Sequence, residues 1–173
     1  GSPFGVLAPL LRRAMGIGDL DSPEERRAKV VAHATSAVGV SESRRVAEFL
    51  GELVGAHFPD ETSVQLRAAR SDAVLLGDQM LRAWTDFVTA EASRRPVVLI
   101  LEDIHWSDGP SLRFVETALA RAEELPLFVL ALARPEVHSR FPRLWADRPI
   151  ARIALAELDD VAASEIVRGA LGE

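Results

Sequence analysis

Two adjacent acidic residues, Glu102 and Asp103, directly follow an uninterrupted apolar run, Val97–Leu101. Such a run, rich in β-branched residues, is typical of a strand buried on both faces of a parallel sheet. Ligands of open α/β sheets bind beyond the carboxyl ends of the strands, where these carboxylates are expected. One carboxylate can hold Mg²⁺, and a second can orient an attacking water. Neighbouring strand residues point to opposite faces, so the two acids are predicted to have different roles.

A basic residue, Arg134, follows a second apolar run, LFVLALA at 127–133. If the two runs are parallel strands of one sheet, Arg134 lies at the same edge as the acids. An arginine there can bind a terminal phosphate through bidentate hydrogen bonds. The structural alternative is that Arg134 ends the strand and pairs with Glu136 or Asp103.

The loop between these elements contains His105, Trp106 and Ser107. A metal role for His105 is disfavoured, because the spacing fits no zinc pattern and the chain has no cysteine. We expect a hydrogen-bonded loop histidine, and a tryptophan that packs against the sheet edge rather than stacking on a base. Ser107, His105 and Asp103 could form a hydrolase triad, but no GxSxG element is present, which argues against that chemistry.

The segment LEDIHWSDGPSL, at 101–112, resembles the Walker B segment of bacterial AAA-type signalling ATPases of the STAND group. These modules are often fused to serine/threonine kinases, adenylate cyclases or LuxR-type regulators. The resemblance implies that Glu102 binds magnesium, at a position where aspartate is commoner, and that Asp103 polarises the attacking water. It also implies that Arg134, in LALARPE, senses the γ-phosphate of ATP. A PF-x-x-L-x-x-L-L-R element at 3–12 matches one that follows the second strand after the P-loop in that family.

The phosphate-binding Walker A motif, GxxxxGK followed by Ser or Thr, is missing from the sequence. Lys29 is the only lysine, and its context, ERRAKVVA, contains no glycine. If the resemblance holds, the P-loop and the first two strands precede residue 1. We then expect the intact protein to use ATP and Mg²⁺ as a switch that a linked kinase, cyclase or DNA-binding domain reads. Residues 1–173 alone are expected to bind neither ATP nor Mg²⁺ tightly and to be inactive.

Two other classes of function stay open. One is a helical protein-interaction or regulatory module of a multidomain kinase or transcription regulator, without nucleotide chemistry. It predicts that the substitution Asp103→Asn leaves signalling intact. The other is an enzyme outside the ATPase group that uses the carboxylates for acid–base chemistry, and it predicts an enclosed pocket and activity in this chain alone.

The elements that must position these residues follow from periodicity and capping signals. Residues 3–93 are predicted to be helical, and residues 94–173 to alternate between strands and helices. Two helices are predicted to begin near residue 7 and at residue 108, and four more are predicted at about 21–37, 42–56, 71–93 and 159–170. Strands are predicted at Val97–Leu101, at 127–133 and, more weakly, at 151–155. The fold class is therefore α/β: a single-domain, partial P-loop NTPase fold of three αβα layers, with about three parallel strands and a helical N-terminal half.

Composition limits the remaining possibilities. The chain has 173 residues, 48% of them apolar, which is enough for one domain with a substantial core. Its formal charge of −6 argues against direct nucleic-acid binding, and no apolar run approaches the roughly 20 residues of a spanning helix. With no signal peptide apparent, a cytoplasmic location is expected. Gly1 and Ser2 are interpreted as the remnant of an expression tag, and an unpaired sheet edge is expected to allow homo-oligomers.

Overall fold

Five helices precede the first strand in the computed structural model, which describes residues 4–171. The residues interpreted as a tag remnant, Gly1 and Ser2, lie outside the described residues. So does Pro3, the first residue of the PF element. The helices are α1 (Leu7–Ala14), α2 (Pro23–Val38), α3 (Val40–Val54), α4 (Val64–Arg70) and α5 (Ala73–Arg94). Four of them were predicted from the sequence; α4 was not.

Local side-chain signals determine where these helices begin. Ser22 and Glu25 form a capping box: the Ser22 hydroxyl accepts from the Glu25 amide at 3.2 Å, and the Glu25 carboxylate accepts from the Ser22 amide at 2.8 Å. Asp72 caps α5 by accepting from the amides of its first turn. Gly39, with φ of 78°, adopts the left-handed region that ends α2 and lets α3 begin directly afterwards.

The core lies among α3, α5 and α6 (Gly109–Arg121), and Trp84 is its largest fully buried side chain. The Trp84 indole N–H donates to the backbone carbonyl of Phe114 at 3.0 Å, so its one polar group is satisfied. Phe49 and Leu50 of α3 are also fully buried. This packing joins the helical N-terminal half to the helix that follows the first strand.

Two parallel strands, β1 (Val97–Leu101) and β2 (Leu127–Ala131), form the sheet in the described part of the chain. Val97 lies opposite Leu127, and the register continues to Leu101 opposite Ala131. Because α6 connects the strands, β1, α6 and β2 make a βαβ unit, as the alternation of strand and helix predicted. The fold is therefore mixed α/β, but with two strands where about three were expected.

One face of the sheet is bare, contrary to the expectation that the first strand is buried on both faces. Leu99 and Leu101 are buried, whereas Val98 and Ile100 are 58% and 56% exposed. Phe128, on β2, is 61% exposed. An apolar run predicts that both faces of a strand are apolar, but the cover for each face comes from other elements. Within residues 4–171 the core covers only one face, so the predicted three-layer arrangement is not found there.

The predicted third strand is also not found, because residues 151–155 have no regular secondary structure. Ile153 and Leu155 are 84% and 86% exposed, so within residues 4–171 neither a partner strand nor the core covers this segment. A short helix, α7 (Val137–Arg140), precedes this segment. The last helix, α8 (Asp160–Leu171), follows it as predicted. No residue of α8 is buried.

Among the helices of residues 4–171, none combines the length and apolarity that crossing a bilayer requires.

Candidate functional site

A tight turn after β1 separates exposed acids from buried neighbours. Asp103 has φ of 51° and ψ of 38°, a left-handed conformation that few residues other than glycine adopt, although aspartate tolerates it better than most. A 3₁₀ turn, Ile104–Trp106, follows immediately. As a result, Glu102 and Asp103 are exposed at the end of the strand, while Ile104 and His105 turn back into the protein.

The carboxyl ends of β1 and β2 meet, as the sequence predicted. The ladder extends beyond the strands, because Leu132 donates to the carbonyl of Leu101 at 2.8 Å and its own carbonyl accepts from Ile104 at 3.1 Å. Two residues later, the backbone N–H of Arg134 donates to His105 Nδ1 at 3.3 Å. The Asp103 carboxylate lies 3.9 Å from the same nitrogen. The Asp103 carboxylate and the backbone of Arg134 therefore lie near the same ring nitrogen of His105.

The side chains of Glu102 and Arg134 make no hydrogen bond or ion pair with any residue in 4–171, and both residues are exposed. The structural alternative for Arg134, an ion pair with Glu136 or Asp103, is therefore not observed in this part of the chain. Both groups are accessible to a ligand at this edge. Magnesium is commonly held by one or two carboxylates together with waters and substrate phosphates, and exposed, adjacent carboxylates fit that donor set.

His105 is only 5% exposed and joins the two strand ends. Its backbone carbonyl accepts from Arg140 Nη1 at 3.3 Å, which adds α7 to the connection. The prediction of a hydrogen-bonded loop histidine is confirmed. Trp106 was expected to pack against the sheet edge, and that prediction is wrong: its residue surface is 68% exposed. Its ring lies 5.3 Å from the His105 ring, which covers only part of one side.

Asp108 fixes the other end of the loop. One carboxylate oxygen accepts from the Ser111 amide at 2.8 Å and caps α6, as the sequence predicted. The other oxygen accepts from the Ser111 hydroxyl at 2.8 Å and from the Gly5 amide at 3.0 Å. Burial of the carboxyl group raises its pKa, but the hydrogen bonds from Ser111, Phe4 and Gly5 favour the charged form more, and the pKa of Asp108 is lowered. The tether to Gly5 was not predicted, because no local signal links residues so far apart in sequence.

A dedicated metal cage is not present among the described residues. No group of three or more His, Asp or Glu side chains in residues 4–171 is arranged to hold a metal ion. A site for Mg²⁺ at Glu102 would therefore need oxygen ligands from outside the protein side chains, which the phosphates of a nucleotide and water would supply.

An open cleft of about 910 Å³ runs along β1 and ends at Glu102. Val6, which precedes α1, and Leu10 of α1 line one side, and Trp84 and Phe87 of α5 line another. The lining is mostly apolar, and the edge of β1 that borders it pairs with no strand in residues 4–171. An acid–base enzyme active as this chain alone was expected to have an enclosed pocket, and this open cleft does not provide one.

Comparison with known proteins identifies no relative. No protein-family model matches the sequence, and no curated protein or solved structure matches it either. The resemblance to STAND-type ATPases therefore stays a prediction based on the residues at 3–12 and roughly 44–171, strongest at 97–136.

Proposed function

We propose that this chain is the Walker B and sensor part of a P-loop ATPase module that acts as a nucleotide-dependent switch in a signalling protein. The observation that carries the proposal is that the Asp103 carboxylate and the Arg134 backbone both lie near His105 Nδ1, at the carboxyl end of two parallel strands. In open α/β sheets this edge is where ligands bind.

The proposed roles follow from the chemistry of each side chain. Glu102 would bind Mg²⁺, and the ion would neutralise charge on the phosphates of ATP when both are bound. Asp103, which is exposed, would orient the attacking water. Arg134, whose guanidinium forms no ion pair within residues 4–171, would bind the γ-phosphate through two parallel hydrogen bonds. A P-loop upstream of this chain would supply the remaining phosphate contacts.

The biological setting is proposed on the resemblance alone. A covalently linked effector, whether a kinase, a cyclase or a DNA-binding domain, would respond to the nucleotide state of the module in the cytoplasm. Nucleotide can change the output only if it binds the two states of the module with different affinity. An arginine that contacts the γ-phosphate supplies such a difference between ATP and ADP.

A second candidate function, a protein-interaction module, is favoured by the bare sheet face. Val98, Ile100, Phe128 and Leu130 are all exposed there, and each is a large apolar side chain. Contiguous exposed apolar surface often marks an interaction site. This function needs no nucleotide, and the two candidates therefore differ in a simple measurement.

The test compares residues 1–173 with a longer chain that includes about 100 upstream residues, roughly the first part of such a domain. Isothermal titration with Mg-ATP should show no binding tighter than millimolar for residues 1–173 and clear binding for the longer chain. In the longer chain, Asp103→Asn should retain ATP binding and lower hydrolysis about 100-fold or more, because a positioned base contributes about that much. Asp147→Asn, an exposed aspartate without hydrogen bonds in residues 4–171, is the matched control.

Two results would contradict the ATPase proposal. One is an upstream sequence without a glycine-rich loop ending in Lys-Ser or Lys-Thr. The other is a longer chain whose hydrolysis is unchanged by Asp103→Asn. If neither chain binds nucleotide while substitution of Phe128 by serine abolishes binding to a partner protein, the interaction module is the correct function.

A further inference from the structure

Within residues 4–171, His105 links the turn after β1 to the segment that follows β2. It lies in the 3₁₀ turn after β1, its Nδ1 accepts from the Arg134 amide after β2, and its carbonyl accepts from Arg140 of α7. The ring is almost fully buried. Neither the magnesium role of Glu102 nor the water-orienting role of Asp103 uses this residue.

The direction of the Arg134 hydrogen bond defines the chemical form of the ring. A backbone N–H can only donate, so Nδ1 must be the unprotonated nitrogen of a neutral imidazole whose proton is on Nε2. Nε2 is itself buried and has no hydrogen-bond partner in residues 4–171. The ring is therefore held by Nδ1 and by its backbone. An apolar side chain would fill this space without leaving a buried donor unpaired, so packing alone does not account for an imidazole here.

We propose that His105 is a positioning residue that fixes the backbone at Arg134 relative to Asp103. This inference rests on the proposed ATPase function, in which those two residues act on the same phosphate and its attacking water. Arg134 lies in an irregular segment, just beyond the last ladder bond, and its exposed side chain makes no hydrogen bond or ion pair in residues 4–171. Its carbonyl accepts from the Val137 amide at 3.1 Å in the turn that follows, so the bond to His105 is the one that connects its backbone to the turn carrying the acids.

Asparagine and leucine provide a matched pair of substitutions at this position. The side-chain oxygen of asparagine is the same number of bonds from Cα as Nδ1 of histidine, so it can accept from the Arg134 amide. Leucine has nearly the same shape as asparagine and cannot accept a hydrogen bond. His105→Asn and His105→Leu therefore leave similar volumes and differ in the one property that the proposal requires.

The first experiment measures amide hydrogen exchange by NMR in residues 1–173. His105→Leu should increase exchange at the Arg134 amide about fivefold relative to His105→Asn, which is the effect of one typical hydrogen bond on a local opening equilibrium. The Leu132 amide, which donates to the carbonyl of Leu101 at 2.8 Å, is the internal reference and should exchange equally in both variants. Equal exchange at Arg134 in the two variants, or a parallel change at Leu132, would overturn the proposal.

The second experiment measures hydrolysis in the longer, ATP-binding chain. His105→Leu should lower kcat about tenfold with little change in KM for ATP, and His105→Asn should restore most of the loss, because small misplacements of catalytic groups are costly. Arg134→Ala is the reference that separates two kinds of failure. If Arg134→Ala lowers kcat but His105→Leu does not, the positioning role is wrong. If neither variant affects hydrolysis, the proposed ATPase function of this site is wrong.

Discussion

Removal of the Asp108 carboxylate should destabilise the protein by an amount that can be worked out from its contacts. Asp108→Ala removes an N-cap, which costs about 1 kcal/mol, and a hydrogen bond to the Gly5 amide, which is worth about another 1 kcal/mol. The free energy of unfolding should therefore fall by about 2 kcal/mol. In a chain of this length that corresponds to a decrease in Tm of about 4–8 °C.

Asp108→Asn separates the two contributions. Asparagine is as good an N-cap as aspartate, so the bond to the Ser111 amide should survive. Its second polar atom is an NH₂ group, which cannot accept from the Gly5 amide or replace the charge. We expect a loss of about 1 kcal/mol, half that of Asp108→Ala, when unfolding is followed by circular dichroism in urea. Asp147→Ala should change stability by less than about 0.5 kcal/mol, because Asp147 is exposed and makes no hydrogen bond in residues 4–171.

The contribution of Asp108 should also depend on pH with a defined sign. Its pKa in the folded protein is lowered, so the folded state favours the charged carboxylate more than the unfolded state does. The stabilisation is therefore fully present above about pH 5 and is lost as the pH falls below about 4 toward the folded pKa. The difference in stability between wild type and Asp108→Ala should be constant from pH 5 to 8 and shrink in acid. A difference that grows below pH 4, or a loss at neutral pH of less than about 0.5 kcal/mol, would refute the reasoning.

Three further predictions concern packing. Gly77→Ala should stabilise the protein by about 1 kcal/mol in urea unfolding, because a Cβ at this position in α5 meets no atom within 4 Å. Gly51→Ala should destabilise it, because the added Cβ would lie 2.7 Å from the ring of Phe58. A Gly51→Ala variant more stable than Gly77→Ala would contradict the packing. Trp84→Phe should lower the free energy of unfolding by about 2 kcal/mol, because it creates a cavity and removes a buried hydrogen bond. An unchanged Tm in calorimetry would contradict this and show that neighbouring side chains fill the cavity. Phe128→Ser should reduce self-association in sedimentation equilibrium if the bare sheet face pairs two copies, and association that persists unchanged would assign it to another surface.

Local signals in the sequence were sufficient to predict most of the elements. Ser22 and Asp108 are caps whose partners lie three residues away, so the helices that they begin could be predicted from a few letters. The short helix α4 was missed, because its Ser63 cap stands in a loop-like context. The junction of β1 and β2 was predicted because both strands end in polar residues that a parallel sheet brings to one edge.

Long-range packing could not be predicted in the same way. The exposure of Val98 on the sheet depends on what covers that face, and an apolar run carries no information about its cover. The segment 151–155 has the alternation of a strand, but a strand needs a neighbour with free backbone groups. The contacts of Asp108 with Gly5 and of His105 with Arg134 join residues far apart in sequence, so no local spacing rule could find them. The sequence predicts a hydrogen-bonded loop histidine, but which residue it contacts depends on how the two strands come together.

The left-handed backbone at Asp103 determines which substitutions can test its chemistry. Most side chains are unfavourable in this conformation by about 1–2 kcal/mol, while asparagine tolerates it. Substitutions such as Asp103→Ala or Asp103→Glu would therefore change the shape of the turn together with the carboxylate, and the turn also carries His105. A loss of activity in those variants would not distinguish the effect of a changed turn from the effect of a changed carboxylate. Asparagine is the exchange that removes the negative charge while leaving the path of the chain intact.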